Sequence, residues 1–495
     1  MITIKEQSIS FVGEQIKLES KSDKTLIKTG LIWTALQMLI NQSFAFIVKL
    51  ILIKLLIPSQ FGLVGMATVF TGLVQVINDI GVGAALIQRK ESNLTKAHYD
   101  TAFWTGVLWS VFLFVLISVG VAPLAANFYN QPALKLIIPV ISIGILFSPV
   151  NLVHKAQLTR RMNFKKIAVI DNTSNIISGS LAIILAFSGA GIWAIVFNTV
   201  ATVVIAMPLY YNATKWLPNF SWDKGAFNDI FGFGAYTAGA NIFTYLYNNI
   251  DYLLIGKLLG ASTLGIYTFA FVITDTFRSR IMAVINNVMY PIYGKKQSEP
   301  AVLKRYYLKV VQVNCLLVFP IMLSLVLLGE PLVNHIFGTK WQGAVFPLQI
   351  LAVSVIFQMM VSGNTALIRG LGKPGLDMKL QIFKAILFVP TLAYATINYG
   401  IVGASLAVLF NKFLLVVIAQ FTFNYLLPVK IANIELLKTL YPCFAASAVA
   451  TVVFFIGNAV GLHFLVLAAL LISSYCLVVW FIIGQELKLI LKNKT

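Results

Sequence analysis

Long apolar stretches follow one another along almost the whole chain, separated by short segments that hold most of the charged residues. Each stretch has about twenty residues or more, the length that an α-helix needs to cross the hydrocarbon core of a membrane. The pattern predicts an all-α polytopic membrane protein with fourteen transmembrane helices. The predicted spans are 30–56, 61–88, 99–121, 133–153, 167–188, 190–211, 231–256, 264–292, 306–328, 343–368, 380–399, 401–427, 439–457 and 462–484.

Composition supports this interpretation and changes the meaning of the net charge. Hydrophobic residues make up 59% of the chain and charged residues 11%, with a mean hydropathy of +0.86, whereas soluble domains average roughly 25% charged residues. The net charge of +20 would fit a nucleic-acid partner, but Lys and Arg concentrate on the side of the membrane that holds the N-terminus. The other side carries only Lys54, Lys135, Lys257 and Lys340. The bias predicts that both termini are cytoplasmic and that no nucleic acid is bound.

The loops between the predicted spans are short, so the sequence leaves no room for a folded domain outside the membrane. The longest outer segment, GEPLVNHIFGTKWQ at 329–342, has fewer than about twenty residues. The first 29 residues are too polar for a cleavable signal peptide. We therefore expect the function to be performed within the membrane.

The chain repeats itself. KLLIPSQFG at 54–62 returns as KLLGASTLG at 257–265, Leu158-x-Arg160 as Leu367-x-Arg369, and AIVFN at 194–198 as AVLFN at 407–411. Matches in the same order predict two six-helix lobes related by a pseudo-two-fold axis along the membrane normal, with two extra helices at the C-terminus. The predicted boundaries are a cytoplasmic segment 1–29, an N-lobe 30–211, a cytoplasmic linker 212–230, a C-lobe 231–427, and 428–495 for the last two helices and tail.

Five further stretches carry a resemblance to a known family. They are LLIPSQFGLVGMATVF at 55–70, NDIGVGAALIQRKE at 78–91, LTRRMNFKKIA at 158–168, NNIDYLLIGKLLGASTLGIY at 248–267 and ALIRGLGKPG at 366–375. With these motifs the chain resembles the multidrug/oligosaccharidyl-lipid/polysaccharide exporter superfamily, and within it the flippases of exopolysaccharides such as colanic or teichuronic acid.

The resemblance implies a flippase of the bacterial cytoplasmic membrane that works by alternating access. Its expected substrate is an undecaprenyl-pyrophosphate-linked oligosaccharide, and its expected partners are membrane lipids, a polysaccharide polymerase and glycosyltransferases. No cofactor is expected, and H⁺ or Na⁺ is the expected ion if transport is ion-coupled.

Charged side chains within spans are costly and mark functional sites by default. Lys49 and Gln42 lie on one face of span one, and a stripe of polar residues runs along one face of span seven. Arg278 and Asp275 lie in span eight, and Lys412 lies in span twelve. Cations would hold the pyrophosphate, while tyrosines and amides would contact the sugars. The predicted substrate-binding residues are Lys49, Arg278, Lys412, Gln42, Asn241, Tyr245, Asn248 and Tyr252, and the predicted ion-coupling or counter-ion residues are Asp251, Asp275 and Asp79.

Structural roles compete with these functional ones. Asp275 and Arg278, spaced i, i+3, can neutralise each other, Asp251 can serve as counter-ion to Lys49, and Asp79 can form a salt link with Arg89. Asp171 is expected to cap its helix against Lys165 or Lys166. Lys309 and Lys384 lie close to cytoplasmic span ends and are expected to snorkel.

Two other function classes were weighed against the flippase. An ion-coupled drug or cation antiporter of the same superfamily would favour a cavity dominated by carboxylates, and the cationic residues argue against it. A membrane polysaccharide polymerase would need a large outer loop with catalytic groups. GLGKPG at 370–375 lacks the Ser/Thr and spacing of a nucleotide-binding loop, and the four histidines are scattered. The sequence therefore predicts neither catalytic residues nor a metal site.

Overall fold

A computed structural model describes Trp33, Gln37 and residues 40–78, 82–89, 94–231 and 235–492, and every regular element in those residues is helical. Residues 40–55 form the first described helix, α1. The helices that follow are α2 (Pro58–Asn78), α3 (Val82–Gln88), α4 (Lys96–Val115), α5 (Ala122–Tyr129), α6 (Leu134–Arg160), α7 (Phe164–Phe187), α8 (Ile192–Thr214), α9 (Lys224–Phe231), α10 (Ala235–Asn248), α11 (Ile250–Lys295), α12 (Pro300–Leu332), α13 (Val345–Met359), α14 (Asn364–Gly370), α15 (Pro374–Phe421), α16 (Asn433–Ala459) and α17 (Phe464–Lys492).

Eleven helical segments of the described residues are long and apolar enough to cross a membrane. This confirms a polytopic helical membrane protein, while the number fourteen stays a prediction. Part of the difference comes from α15, whose 48 residues would extend about 70 Å at roughly 1.5 Å per residue, more than twice the thickness of a hydrocarbon core. Its backbone leaves the helical conformation at Gly400, where φ is 59°. Gly400 lies between predicted spans eleven and twelve, so α15 is long enough for both.

Predicted span seven differs from the structure. Helix α10 ends at Asn248 and α11 begins at Ile250, with a turn at Asn249 between them. The Asn249 side-chain amide donates to the Tyr245 carbonyl (2.8 Å), which is a local bond that competes with the helical pattern. The polar stripe predicted on one continuous helix is therefore divided between two helices.

The chain forms two compact units. Among the described residues, unit 1 comprises those up to Leu56 together with Met66–Asn249, and unit 2 comprises Ile57–Gly65 together with those from Ile250 on. Unit 1 holds two apolar clusters, one around Val153 and Leu86 and one around Tyr210 and Ile167. In unit 2 the fully buried Trp341 stacks on Phe269 at 4.9 Å and meets Phe61 edge-on at 5.8 Å.

The second parts of the two copies of the repeated nine-residue motif, 57–62 and 260–265, lie against each other inside unit 2. A Cβ atom at Gly62 would overlap the carbonyl oxygen of Ala261 and lie 3.0 Å from the Gly265 nitrogen. A Cβ atom at Gly265 would overlap the carbonyl oxygen of Pro58 and lie 3.0 Å from the Gly62 nitrogen. Positions 58 and 62 of the first copy correspond to 261 and 265 of the second, so the contact is reciprocal. Only glycine permits backbones to approach this closely.

The segment between α8 and α9 is hydrogen-bonded to the N-terminal part of α4 within unit 1. The buried Asp100 carboxylate accepts from the Asn219 backbone N–H (3.0 Å), and Thr101 accepts from that of Asp223 (3.0 Å). The Trp104 indole N–H donates to the Asn219 carbonyl (2.7 Å). The side chain of Phe220 remains exposed, which suits a segment at a membrane interface.

Candidate functional site

A group of charged side chains lies within the helices of unit 2. Arg278 and Asp275 on α11 form an ion pair in which the arginine Nε lies 2.8 Å from the carboxylate Oδ1. Arg278 Nη1 also lies 3.4 Å from the sulfur of Met282. The arginine side chain is 16% exposed and the aspartate 24%, so the guanidinium retains access to a ligand. The ion pair expected from the i, i+3 spacing of Asp275 and Arg278 is therefore formed.

Asp251 belongs to the same unit and is buried. Its Oδ2 accepts from the Tyr267 hydroxyl (2.7 Å), and its Oδ1 accepts from the Tyr252 backbone N–H (3.0 Å). The Tyr252 ring packs edge-on against Tyr267 and Phe271, each at 5.9 Å. Asp251 is thus held by a phenol and a backbone amide, and Tyr252 belongs to the packing around it.

Lys412 on α15 is half-buried and lies within electrostatic range of Arg278, Asp275, Lys384 and Asp251. These side chains are defined here as the charged cluster. With all of them ionised, three cations face two carboxylates inside the cluster. Lys384 also lies within electrostatic range of Asp377, a carboxylate that already accepts from Arg369 and Gln381. Buried charges of one sign need a counter-ion, so the charged cluster is suited to an anion. Lys384, expected only to snorkel, is part of it.

The predicted residues of span one lie on α1 in unit 1. Val48 is buried, and a Cβ atom at Gly179 of α7 would lie 2.8 Å from its side chain, which places this face of α1 against α7. Lys49 is the next residue, about 100° around the helix, and its side chain is exposed. Gln42 is half-buried.

The remaining predicted residues lie in α10 or outside the described chain. The Tyr245 hydroxyl donates to the carbonyls of Thr68 and Val69, each at 3.0 Å, so it is engaged within unit 1. Asn241 and Asn248 are exposed. Asp79 lies outside the described residues. Arg89, its predicted partner, pairs with Asp229 at 2.5 Å, and the predicted link to Asp79 stays a prediction.

That ion pair lies outside the membrane-spanning helices, next to the linker. The hydrogen bond from Arg89 is the main cause that lowers the pKa of Asp229 below its ordinary value. A lowered pKa keeps the carboxylate ionised throughout the neutral range, and the pair would be lost only as the pH falls through that lowered pKa. The link is therefore insensitive to physiological changes of pH.

One polar network in unit 1 was missed from the sequence. The Asp171 carboxylate accepts from the Gln37 amide (2.6 Å), the Lys155 ammonium (2.8 Å) and the Tyr210 hydroxyl (2.6 Å). The expected partners Lys165 and Lys166 are wrong, because Asp171 lies on the side of α7 that faces α6 and α8. A carboxylate within a predicted span was the signal available, but its partners come from separate helices.

Comparison with known proteins points to polysaccharide biosynthesis. A sequence model of a family described as "Polysaccharide biosynthesis protein" matches residues 51–346, more than half of the chain. Teichuronic acid biosynthesis protein TuaB of Bacillus subtilis (strain 168) is 30% identical over 308 residues, 62% of this chain and 63% of that protein, just under two thirds of its length. Lipopolysaccharide biosynthesis protein WzxC of Escherichia coli (strain K12) is 23% identical over 417 residues, 83% of this chain and 82% of that protein.

A solved structure resembles most of the chain. The lipid II flippase MurJ in an inward closed conformation superposes with a TM-score of 0.70, covering 92% of this chain and 100% of that one. The sequence identity is 12%, so this similarity concerns the fold alone.

Proposed function

Because the chain belongs to the polysaccharide biosynthesis protein family, we propose that it is a flippase that moves a polyprenyl-pyrophosphate-linked oligosaccharide from the inner to the outer leaflet of a bacterial cytoplasmic membrane. Two relatives are named for the biosynthesis of teichuronic acid and of lipopolysaccharide, and a protein of the same fold is a lipid II flippase. The protein is a transporter and not an enzyme. It would act with a polysaccharide polymerase and glycosyltransferases that consume and supply its substrate.

The observation that carries the proposal is the excess of cations over carboxylates inside the charged cluster. A pyrophosphate brings two or more negative charges, and taking it out of water without a partner is expensive. One cation at about 4 Å returns about 4 kcal/mol at an effective dielectric constant near 20. Arg278 also offers a planar fork that matches two phosphate oxygens, and Lys412 supplies a second cation.

The other predicted residues receive secondary roles in this mechanism. Lys49 and Gln42 on α1, and Asn241, Tyr245 and Asn248 on α10, stay predicted substrate contacts within unit 1. Asp251 and Asp275 would be counter-ions that bind the cations when substrate is absent, and H⁺ or Na⁺ is the coupling ion if one is used. Fourteen spans with both termini in the cytoplasm complete the proposal.

A charge series at Arg278 tests the role of the charged cluster. In cells whose own copy of the gene is deleted, Arg278→Lys should retain part of the polymer export, Arg278→Gln should lose most of it, and Arg278→Glu should abolish it. Lipid-linked repeat units should then accumulate on the inner leaflet. Membrane levels of each variant, measured by immunoblot, separate lost transport from lost folding.

Two further variants make the series decisive. Lys309→Gln is the matched control, since the Lys309 ammonium donates to Gln312 (2.9 Å) outside the charged cluster, and it should export normally. The pair Asp275→Asn/Arg278→Gln removes both charges and leaves no unpaired carboxylate. If it or Arg278→Glu exported at the level of the unaltered protein, the proposed headgroup site would be wrong.

A further inference from the structure

The membrane-spanning segment that contains α13 and α14 is interrupted in its buried part. Helix α13 ends at Met359, α14 starts at Asn364, and the turn between them includes Gly363 with φ at +84°. Ser362 N–H donates to the Met359 carbonyl (3.1 Å), and Asn364 N–H to that of Val361 (3.3 Å). Val361 and Ser362 are at most 4% exposed. An interruption inside a membrane protein is tolerated where polar partners satisfy it.

Two amide oxygens at this turn lack such partners. Asn314 of α12 is 1% exposed, and its Nδ2 donates to the Ser362 hydroxyl (2.8 Å). That bond fixes the amide, so its Oδ1 is presented as an acceptor, and no donor among the described residues reaches it. The buried Oδ1 of Asn364 likewise has no hydrogen-bond donor among the described residues.

One phenol beside the turn and one on the neighbouring helix have the complementary deficiency. Tyr293 of α11 and Tyr307 of α12 are at most 1% exposed, and within the described chain neither hydroxyl has a hydrogen-bond partner. The Tyr293 hydroxyl lies 4.0 Å from where a Cβ atom of Gly363 would stand, and Tyr307 lies within electrostatic range of Tyr293. Leaving buried polar groups unsatisfied is costly, so these four groups call for hydrogen-bond partners.

We propose that this turn is a water-binding site, in which ordered water joins Tyr293, Tyr307, Asn314 and Asn364. A water molecule donates two hydrogen bonds and accepts two, which matches two amide oxygens that need donors and two phenols that need acceptors. A metal cation matches less well, because it would leave both phenolic hydrogens without acceptors and none of the four groups is a carboxylate.

Water at this position would supply the hydrogen bonds that the interrupted segment lacks, because ordered water can satisfy buried polar groups where a helix is broken. The site differs from the charged cluster in residues and in chemistry, and it does not depend on the proposed substrate.

X-ray radiolytic labelling of the full-length protein in lipid nanodiscs, followed by mass spectrometry, tests for the water. Hydroxyl radicals formed from bound water modify adjacent tyrosines even when these are shielded from bulk solvent. Tyr293 and Tyr307 should be modified several-fold faster than Tyr210 and Tyr267. The latter two are equally buried, but their hydroxyls donate directly to Asp171 (2.6 Å) and Asp251 (2.7 Å), so they are matched controls.

Three outcomes decide the matter. Labelling of Tyr293 and Tyr307 at the rate of the two controls would overturn the proposal. So would labelling that falls when Na⁺ replaces choline in the buffer, because a cation would then be the occupant. Asn314→Leu should reduce labelling of Tyr293, while Asn398→Leu, at an exposed amide that donates to the Tyr394 carbonyl, should not. If Asn314→Leu fails to fold, the comparison within the unaltered protein still decides.

Discussion

Arg278 carries its own counter-charge, because Asp275 holds the guanidinium through Nε. In the proposed mechanism an incoming pyrophosphate would therefore have to compete with a carboxylate on the same helix. Such competition lowers affinity but helps release, which a transporter needs at the end of each cycle. An arginine without Asp275 would hold the anion more tightly and let it go more slowly.

Asp275→Asn should therefore bind a short polyprenyl pyrophosphate several-fold more tightly than the unaltered protein, with slower export. Both can be measured, affinity by thermophoresis in detergent and export in cells. Asp229→Asn is the control: Asp229 pairs with Arg89 in unit 1 and is not part of the charged cluster. Unchanged affinity in Asp275→Asn would mean that Arg278 does not contact the headgroup.

Residue pairs could be predicted only where they are close in sequence. The Asp275–Arg278 pair follows from helical spacing alone. The partners of Asp171 come from the first helical segment, α6 and α8, and no local pattern specifies which faces of those helices meet. The proximity of Lys384 to Lys412 could not be predicted for the same reason, since it depends on how the two parts of α15 fold back on each other.

At the scale of the element, the repeated motif explains why the same letters occur twice. Glycine at positions 62 and 265 lets each copy approach the backbone of the other, and a methyl group at either position would overlap a carbonyl oxygen. Overpacking of this kind typically costs about 1–3 kcal/mol. The two glycines serve one contact, so their substitutions should not act independently.

Gly62→Ala and Gly265→Ala should each lower the thermal unfolding temperature of the purified protein by a similar amount. The double variant should fall short of the sum of the two. Gly294→Ala provides a matched control, because a Cβ atom there would meet nothing within 4 Å. Fully additive losses, or a loss of the same size at Gly294, would argue against the reciprocal contact.

Helix limits could be predicted in some places and not in others. Gly400 divides the predicted spans at the residue where the backbone leaves the helix, because glycine is a local signal. The interruption at Asn249 depends on one side-chain bond. Three π-helical turns, each continuous with a long α-helix, could not be predicted because their composition does not differ from that of an ordinary α-helix. They are Leu116–Val121, Val333–Phe337 and Thr422–Leu426.

At the scale of the whole molecule, charge and hydropathy predict a polytopic membrane protein, and the helices of the described residues confirm it. Orientation stays a prediction that rests on the distribution of Lys and Arg. Thr339 follows the turn at Val333–Phe337 on the predicted outer side, and Ser298 lies between α11 and α12 on the predicted inner side.

In a variant with the exposed Cys476 replaced by serine, a cysteine at position 339 should react with an impermeant maleimide added to intact cells. A cysteine at position 298 should react only after the cells are permeabilised. Mass tagging on a gel measures both. Reaction at position 298 from outside would reverse the proposed orientation.

The contact between Gly62 and Gly265 has the form of an isologous interface, in which one surface fits a second copy of itself. In a symmetric homodimer every mutation alters both sides of such an interface, because both subunits carry it. Here both copies belong to one chain, so each can change alone, and they already differ: Pro58 in the first copy corresponds to Ala261 in the second. A single chain can therefore adjust one side of a symmetric contact while keeping the other, which two identical subunits cannot do.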